Sequence, residues 1–387
     1  MPLLSLVRLL STLLSLGLLV LMAYFAWTWY DGKLIRQADG DIVRVREDWR
    51  LWLTLALFAW SFLGKFLFVP LLARPDRGER SREDRGTGQK IATANGSEVY
   101  VEVLGRPDQP TLILTHGWAM DSTIWHYAKL ALAKNFRIIV WDLPGLGQSK
   151  GPISLENFAA SLGSIMQWSG TGKVVLVGHS IGGMTIQTLA RDQPALFADR
   201  VAGVVLLNTT YTNPLKTMIL PRLMQAIRWP LLEPVMRLTI VIEPLAWLGA
   251  WQSYLSGMAH LANRIGFGKY VTRSQLHHVT LLATKNRPAN IQKGNLAMFR
   301  WDATGALGKT GVETLLLAGE LDIVTKPEAS AEIARQAPRA SLRLIDGVNH
   351  MGMLERADLY NAEIGRFAST MFGGAAPLHS GGSDAMA

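Results

Sequence analysis

A serine between two glycines is the residue of this chain best suited to nucleophilic chemistry. The stretch "VGHSIGG" (177–183) follows the apolar run "KVVLV" and precedes a segment with helical periodicity. Ser180 therefore lies in a G-x-S-x-G pattern between a predicted strand and a predicted helix, which is the context of a nucleophile elbow. Glycines at 178 and 182 permit a turn so sharp that side chains there would clash. The pattern favours a nucleophile over a structural turn.

A serine nucleophile needs a base, and the base needs an orienting acid. His350 in "GVNHM" follows the last predicted strand, and Asp322 in "AGELDIVT" follows the penultimate one. Asp302 lies before its strand, at the wrong end of the sheet, and Asp346 lies close to His350, where it suits a turn. The sequence therefore predicts a triad of Ser180, His350 and Asp322.

Two backbone amides form the predicted oxyanion hole. "LTHGW" (114–118) ends an early strand in a His-Gly turn, so the amide of Trp118 can point at the developing oxyanion. The amide of Ile181 is the predicted second donor. Two histidines adjoin these elements. His116 is expected to brace the loop and His179 the elbow, with packing alone as the alternative for both.

Seven apolar segments predict the strands that must position these residues. The first alternates by twos, as a half-buried strand does, and the others are continuous runs typical of strands covered on both faces. Segments of helical length separate them, so the fold class is α/β with a mostly parallel sheet, entered by an antiparallel hairpin. Ser180, Asp322, His350 and Asp142 follow carboxyl ends of strands, where such sheets bind ligands. The segments are SEVYVEVLG, TLILTHG, FRIIVWD, KVVLVGH, VAGVVLLN, VETLLLAGE and ASLRLID.

These motifs resemble those of the α/β-hydrolase family. Ser180, Asp322 and His350 occur in the family's chain order, "HGW" matches its oxyanion motif, and "WDLPGLGQS" (141–149) matches its D-x-P-G-x-G-x-S segment. The resemblance covers residues 90–370. It implies an α/β-hydrolase fold with flanking helices and a helical cap inserted at 209–300. It also implies cleavage of esters, lipids, amides or carbon–carbon bonds, or acyl transfer. Serine at the elbow argues against the dehalogenases and epoxide hydrolases, which carry aspartate there.

The N-terminus contains two candidate membrane spans, which form a predicted anchor over residues 1–73. Residues 9–30 carry no charge and are long enough to cross a bilayer, and their aromatic end suits the interface. A cleaved signal peptide is the alternative, but the apolar run is long and no clear cleavage site follows. Residues 51–73 contain one charge, Lys65, and a buried or interfacial helix is the alternative there. Seven basic residues at the outer ends, against five in the loop between the helices, favour a cytoplasmic hydrolase domain.

The remaining segments differ in charge. Residues 74–90 are charged and Gly-rich and predict a flexible tether, whereas 91–372 form the predicted hydrolase domain and 373–387 a disordered tail. The cap at 209–300 contains eleven Lys or Arg residues and only two acids. This basic excess suits an anionic membrane surface or an anionic substrate, with a solvated exterior as the alternative. The motifs place no catalytic group in residues 1–89.

Composition and chemistry narrow the expected function. The chain contains no cysteine, which excludes disulfides, thiolate metal sites and a cysteine nucleophile. The triad chemistry needs no metal or organic cofactor. We expect a membrane-anchored serine hydrolase that cleaves a lipid or other apolar small-molecule ester. An acyltransferase or carbon–carbon bond hydrolase on the same triad is the enzymatic alternative, and a non-catalytic membrane scaffold or binding protein is the alternative of another class. No recognition motif accompanies the basic charge, so no nucleic-acid partner is expected.

Overall fold

The computed structural model describes residues 2–373, with side chains from residue 6 onward. The predicted disordered tail, 373–387, lies outside the described residues except for its first glycine. The strands in this part of the chain are β1 (Lys33–Arg36), β2 (Ile42–Val45), β3 (Gly88–Ala92), β4 (Glu98–Leu104), β5 (Thr111–Thr115), β6 (Arg137–Trp141), β7 (Val174–His179), β8 (Val201–Leu207), β9 (Thr314–Gly319) and β10 (Ala340–Ile345).

The α-helices in the described part of the chain precede or flank these strands. They are α1 (Pro2–Asp31), α2 (Asp48–Leu72), α3 (His126–Leu132), α4 (Leu155–Trp168), α5 (Ile181–Asp192), α6 (Pro194–Arg200), α7 (Pro214–Thr217), α8 (Pro221–Ala226), α9 (Glu233–Val241), α10 (Glu243–Leu255), α11 (Met258–Arg264), α12 (Arg273–Lys285), α13 (Pro288–Met298), α14 (Pro327–Gln336), α15 (Gly352–Glu355) and α16 (Ala357–Met371).

Eight strands form the central sheet, in the order β10-β9-β8-β7-β5-β6-β4-β3. The sheet is parallel except at the β3–β4 and β4–β6 pairs, which confirms the predicted antiparallel entry. All seven predicted strands are present as β4 to β10, and β3 is an additional edge strand. Helices α7–α13 lie between β8 and β9, at the position expected for a cap.

The continuous apolar runs fill two cores because both faces of the sheet are covered. Neighbouring residues on one strand point to opposite faces: Ile113 belongs to the core under α4 and α5, and Leu112 to the core under α3 and α16. Both side chains are fully buried. This packing holds the carboxyl ends of β7, β8 and β9 in fixed register, and these ends carry the candidate site.

Helix α1 extends beyond the predicted span 9–30 at both ends, whereas α2 begins before the predicted span 51–73 and ends at Leu72. A β1–β2 hairpin that was not predicted lies between the two helices. Residues 6–31 and 48–72 are long and apolar enough to cross a membrane. In the most apolar 18-residue stretch of each helix, only 11% and 17% of the stretch is buried. Most of this apolar surface therefore has no protein partner.

Part of each N-terminal helix packs directly on the cap. Helix α1 contacts α10 and α11, and α2 contacts α11. A Cβ on Gly64 would lie 2.2 Å from the carbonyl oxygen of Ser256, so a glycine is needed for this approach of α2 to the cap. The hydroxyls of Ser15 and Ser256 lie 2.9 Å apart, and Gln252 donates to the carbonyl of Ser61 over 3.1 Å. Small residues and interhelical hydrogen bonds of this kind join helices in apolar surroundings.

The segment 74–90, which was predicted to be a flexible tether, is instead packed on the domain. Arg85 lies between two buried carboxylates, with its Nη2 2.7 Å from Asp121 and its Nη1 3.0 Å from Asp142. Ser81 is buried and lies 2.8 Å from Nδ1 of His278 in the cap. Burial opposes the charge of Arg85, but the two carboxylates outweigh it and raise the pKa of the guanidinium. Charge density alone predicts a solvated coil, whereas these buried acids require a counter-ion.

Replacing Arg85 by Ala is expected to lower the free energy of unfolding by about 3 kcal/mol, because the change removes the cation that faces the buried carboxylate of Asp142. Thermal and denaturant unfolding of the full chain in mild detergent measures this loss. The matched control is Arg106→Ala, which removes an exposed pair with Asp108 and should cost at most about 1 kcal/mol. Equal effects of the two changes would show that residues 74–90 do not stabilise the domain.

Candidate active site

The turn between β7 and α5 holds Ser180 in a conformation that few L-residues adopt. Its φ is 53° and its ψ −117°, a state that costs about 1–3 kcal/mol. A Cβ on Gly182 would lie 2.2 Å from the carbonyl oxygen of Thr115, and one on Gly178 would lie 2.6 Å from the backbone of Gly182. The two glycines of the motif are therefore required by the close approach of β5, β7 and α5.

The three side chains predicted as a triad lie in one hydrogen-bonded chain. The Oγ of Ser180 lies 3.0 Å from Nε2 of His350, and Nδ1 of His350 lies 2.9 Å from Oδ2 of Asp322. All three residues are buried. With Nδ1 protonated and donating to the carboxylate, Nε2 is free to accept the serine proton, which is the tautomer that a general base requires.

Asp322 is held as a carboxylate by donors on every side. Its Oδ1 accepts from the amides of Val324 and Thr325 over 2.7 and 2.9 Å, and its Oδ2 accepts from the Thr325 hydroxyl over 2.9 Å. Burial alone would raise the pKa of Asp322, but His350 and the hydrogen bonds outweigh burial, so the pKa lies below its ordinary value. A charged acid at this point stabilises the imidazolium that forms when His350 takes a proton.

Asn208 is a further part of the site that sequence reasoning did not identify. Its Nδ2 donates to Oδ2 of Asp322 over 2.9 Å, and its Oδ1 accepts from the hydroxyl of Tyr360 over 3.1 Å. Its φ of 47° is left-handed, a conformation that asparagine tolerates better than most residues. A signal was available, because Asn208 directly follows β8 at the same sheet edge.

Two buried histidines brace the site without belonging to the triad. His116 accepts from the amide of Leu143 over 3.0 Å at Nε2, and its Nδ1 lies 2.8 Å from the carbonyl of Gly117. His179 donates through Nε2 to the carbonyl of His350 over 2.9 Å. Burial, with His350 beside it, lowers the pKa of His179 to about 3, and burial also lowers that of His116. Both therefore act as neutral hydrogen-bonding groups that join the loops around Ser180.

The two residues predicted to supply the oxyanion-hole amides both adjoin the site of Ser180. Ile181 is the first residue of α5, so its amide belongs to those that a helix leaves without an intrahelical acceptor. Trp118 lines the same pocket as Ser180. Its indole donates to the carbonyl of Ile291 over 3.1 Å and packs against Phe158. Cap helix α13 thus holds the loop that carries the Trp118 amide.

The other acids considered lie elsewhere. Asp302 accepts from the hydroxyl of Thr212 and lies outside the triad, and Asp346 is exposed. Asp142 follows β6 but accepts from the amides of Ser122 and Gln148 and pairs with Arg85, so it braces a loop. In the part of the chain that the structure describes, no group of three or more His, Asp or Glu residues could hold a metal ion.

The pocket above Ser180 is small and includes a residue of the first helix. Its volume is about 30 Å³, and the oxyanion loop and the loop of His350 form part of its wall. Arg8 and Asn263 also line it, although the motifs placed no catalytic group in residues 1–89. No local pattern could have identified Arg8, because its position depends on how α1 packs on the cap.

Comparisons with known proteins place the chain among esterases that share this fold. A curated relative, a pimeloyl-[acyl-carrier protein] methyl ester esterase of Nitrosospira multiformis, is 27% identical over 275 residues, which cover 70% of this chain and 98% of the relative. An esterase from Exiguobacterium antarcticum superposes with a TM-score of 0.60 at 18% identity, covering 73% of this chain and all of that one.

A crystal structure of a membrane phospholipase A, a bacterial virulence factor, superposes with a TM-score of 0.58 at 19% identity and covers 74% of this chain and 86% of its own. At such identities the structural likeness shows the fold alone. The family model for the alpha/beta hydrolase fold matches residues 110–357, more than half of the chain. The protein therefore belongs to the α/β-hydrolase fold family and is an enzyme of the esterase type.

Proposed function

We propose that the protein is a membrane-anchored serine hydrolase that cleaves a carboxylic ester of an apolar acyl group through an acyl-enzyme. The observation that carries this proposal is the hydrogen-bonded chain from Ser180 through His350 to Asp322, set at the floor of a pocket. The Nitrosospira relative is named for a methyl ester, which is also a carboxylic ester.

The arrangement accounts for each proton in the reaction. Ser180 Oγ attacks the ester carbonyl while Nε2 of His350 takes its proton, and Asp322 stabilises the resulting imidazolium. The amides of Trp118 and Ile181 bind the tetrahedral oxyanion. The imidazolium then protonates the leaving alcohol, which departs and leaves the acyl group on Ser180. Water, deprotonated by His350, hydrolyses the acyl-enzyme and returns the serine.

The apolar surface of the cap supports a membrane location. Eight large apolar side chains between residues 220 and 248 of the cap are 41–78% exposed. Exposed apolar surface of this extent marks an interaction site, and it adjoins the exposed faces of α1 and α2. The eight are Leu220, Leu223, Trp229, Leu231, Leu238, Val241, Leu245 and Leu248.

The basic residues of the cap contribute less to its attraction to a membrane than their number suggests. Arg228 pairs with buried Glu233 over 2.8 Å, Arg287 pairs with Glu243, and Lys285 pairs with Glu83. These cations are neutralised within the protein, so we propose that the cap meets the bilayer mainly through its apolar face. A cytoplasmic hydrolase domain remains our proposal from the distribution of basic residues around the two helices.

Replacing Ser180 by Ala should abolish ester hydrolysis and fluorophosphonate labelling, with a loss in kcat of about 10⁶-fold. His350→Ala should lose nearly as much, and Asp322→Asn about 10⁴-fold, because it disturbs the tautomer of His350. Asp302→Asn is the matched control and should keep wild-type kcat. Full labelling of the Ser180→Ala protein would refute the mechanism.

The same assay separates the alternatives. A non-catalytic scaffold would not label in the wild-type chain, whereas an acyltransferase would label and give the ester of an added alcohol instead of the free acid. We expect labelling, and free acid as the main product when a competing alcohol is present.

The full chain is expected to stay in the membrane pellet after alkaline carbonate extraction. Val20→Arg or Phe58→Arg places a charge on an exposed apolar face, which at the centre of a span costs about 2.5–3.5 kcal/mol, so each should reduce the retained fraction. Leu344→Arg, at an exposed position of β10, is the control and should not change it. Release of the wild-type chain by carbonate would contradict the anchor.

A further inference from the structure

The first helix brings an unneutralised cation to the catalytic pocket. Arg8 lines this pocket with Ser180 and His350. Its Nη2 donates to Oδ1 of Asn263, and its Nε is buried without a hydrogen-bond partner. No carboxylate lies within ion-pair distance of Arg8 in the part of the chain that the structure describes. Removing part of a guanidinium from water is costly unless an anion faces it, so a negative group on a ligand would stabilise this site.

Arg8 also lines a long apolar cavity, which we call the acyl groove. The groove has a volume of about 180 Å³ and runs between α1 and the cap. Leu9 and Leu13 form its α1 side, and Val235, Leu245 and Ala246 form its cap side. Its wall is mostly apolar, which suits a hydrocarbon chain. Leu13 and Leu245 are half-exposed, so the groove opens on the surface that we propose lies in the bilayer.

A third cavity, which we call the polar recess, meets the other two at Arg8. It has a volume of about 40 Å³. Ser11, Ser253, Thr284 and Asn263 line it beside Arg8. The three hydroxyls already donate their protons within the protein, whereas the guanidinium of Arg8 keeps N–H groups free, and a guanidinium binds phosphate and carboxylate oxygens. Arg8 is therefore the group of the recess that can hold an anion.

We propose that the substrate is an anionic acyl ester drawn from the bilayer, an inference that rests on the serine hydrolase function proposed above. The acyl chain lies in the acyl groove, the ester carbonyl lies at Ser180, and a phosphate or carboxylate on the alcohol side lies on Arg8 in the polar recess. All three cavities share Arg8, so one molecule can reach all of them. Helix α1 is in this way both a membrane element and a wall of the binding site.

The test compares two esters with the same chain, 1-oleoylglycerol and 1-oleoylglycerol 3-phosphate, in non-ionic micelles with the full-length protein. The wild-type kcat/KM is expected to favour the phosphate ester by about 10- to 100-fold, as charge-assisted hydrogen bonds do. Arg8→Met should bring this ratio close to one, and Arg8→Lys, which keeps the charge but loses the bidentate geometry, should retain part of it.

The matched control is Arg36→Met, which removes an exposed cation of β1 and should keep the wild-type ratio. This control separates Arg8 from a general attraction between a basic protein and anionic micelles. A wild-type ratio of one, or equal losses on both esters in Arg8→Met, would overturn the proposal. Absence of Ser180 labelling in the wild type would instead refute the hydrolase function itself.

A second measurement does not depend on whether Arg8→Met folds. Hexadecyl phosphate and hexadecanol are compared as inhibitors of p-nitrophenyl butyrate hydrolysis by the wild-type protein. The phosphate should inhibit with a Ki at least about 10-fold lower, and equal Ki values would overturn the anion site.

The acyl groove has its own test. Ala246→Phe narrows the groove. It should lower the rate of hydrolysis of oleoyl esters relative to that of butyryl esters. Leu248→Phe lies on the same helix, at an exposed position outside the groove, and should keep the wild-type chain preference. An unchanged preference in Ala246→Phe would place the chain elsewhere.

Discussion

Ser180 is held at a φ of 53°, and the surrounding structure keeps it there because β5, β7 and α5 meet without intervening side chains. The same turn places the serine hydroxyl above the sheet edge and its following amide at the start of a helix. Every other part of the site is positioned relative to this point. His179 illustrates the dependence, since its hydrogen bond to the backbone of His350 joins the elbow to the loop of the base.

Buried carboxylates at the same sheet edge take different roles according to what neutralises them. Asp322 faces His350 and four donors, so its charge is available to stabilise an imidazolium. Asp142 faces Arg85 and two loop amides, so its carboxylate stabilises the fold of these loops. This pairing also explains why residues 74–90 lie on the domain. A charged segment packs when the domain presents buried acids to it, because unpaired burial would cost more than the lost flexibility.

The N-terminal helices pack directly on the cap. The hydrolase domain therefore lies against these helices and not at the end of a flexible tether. Close approaches at Gly64 and Gly249 let α2 and α1 contact the cap. In the proposed membrane orientation, the mouth of the acyl groove lies at the bilayer and the triad lies behind it. A substrate would then pass from lipid to Ser180 without crossing water, which suits an ester of low solubility.

Local pattern determined much of this protein. The strands, the sheet type, the G-x-S-x-G turn and the positions of Ser180, Asp322 and His350 after strands all follow from periodicity and short spacings, because each depends on residues near in sequence. Tertiary structure decided the rest. Asn208 meets Asp322 across 114 positions, and Arg8 meets Asn263 across 255. Such pairings depend on how helices pack and on which charges are buried, and neither can be predicted from local spacing. Only the folded chain could therefore show that the first helix lines the catalytic pocket.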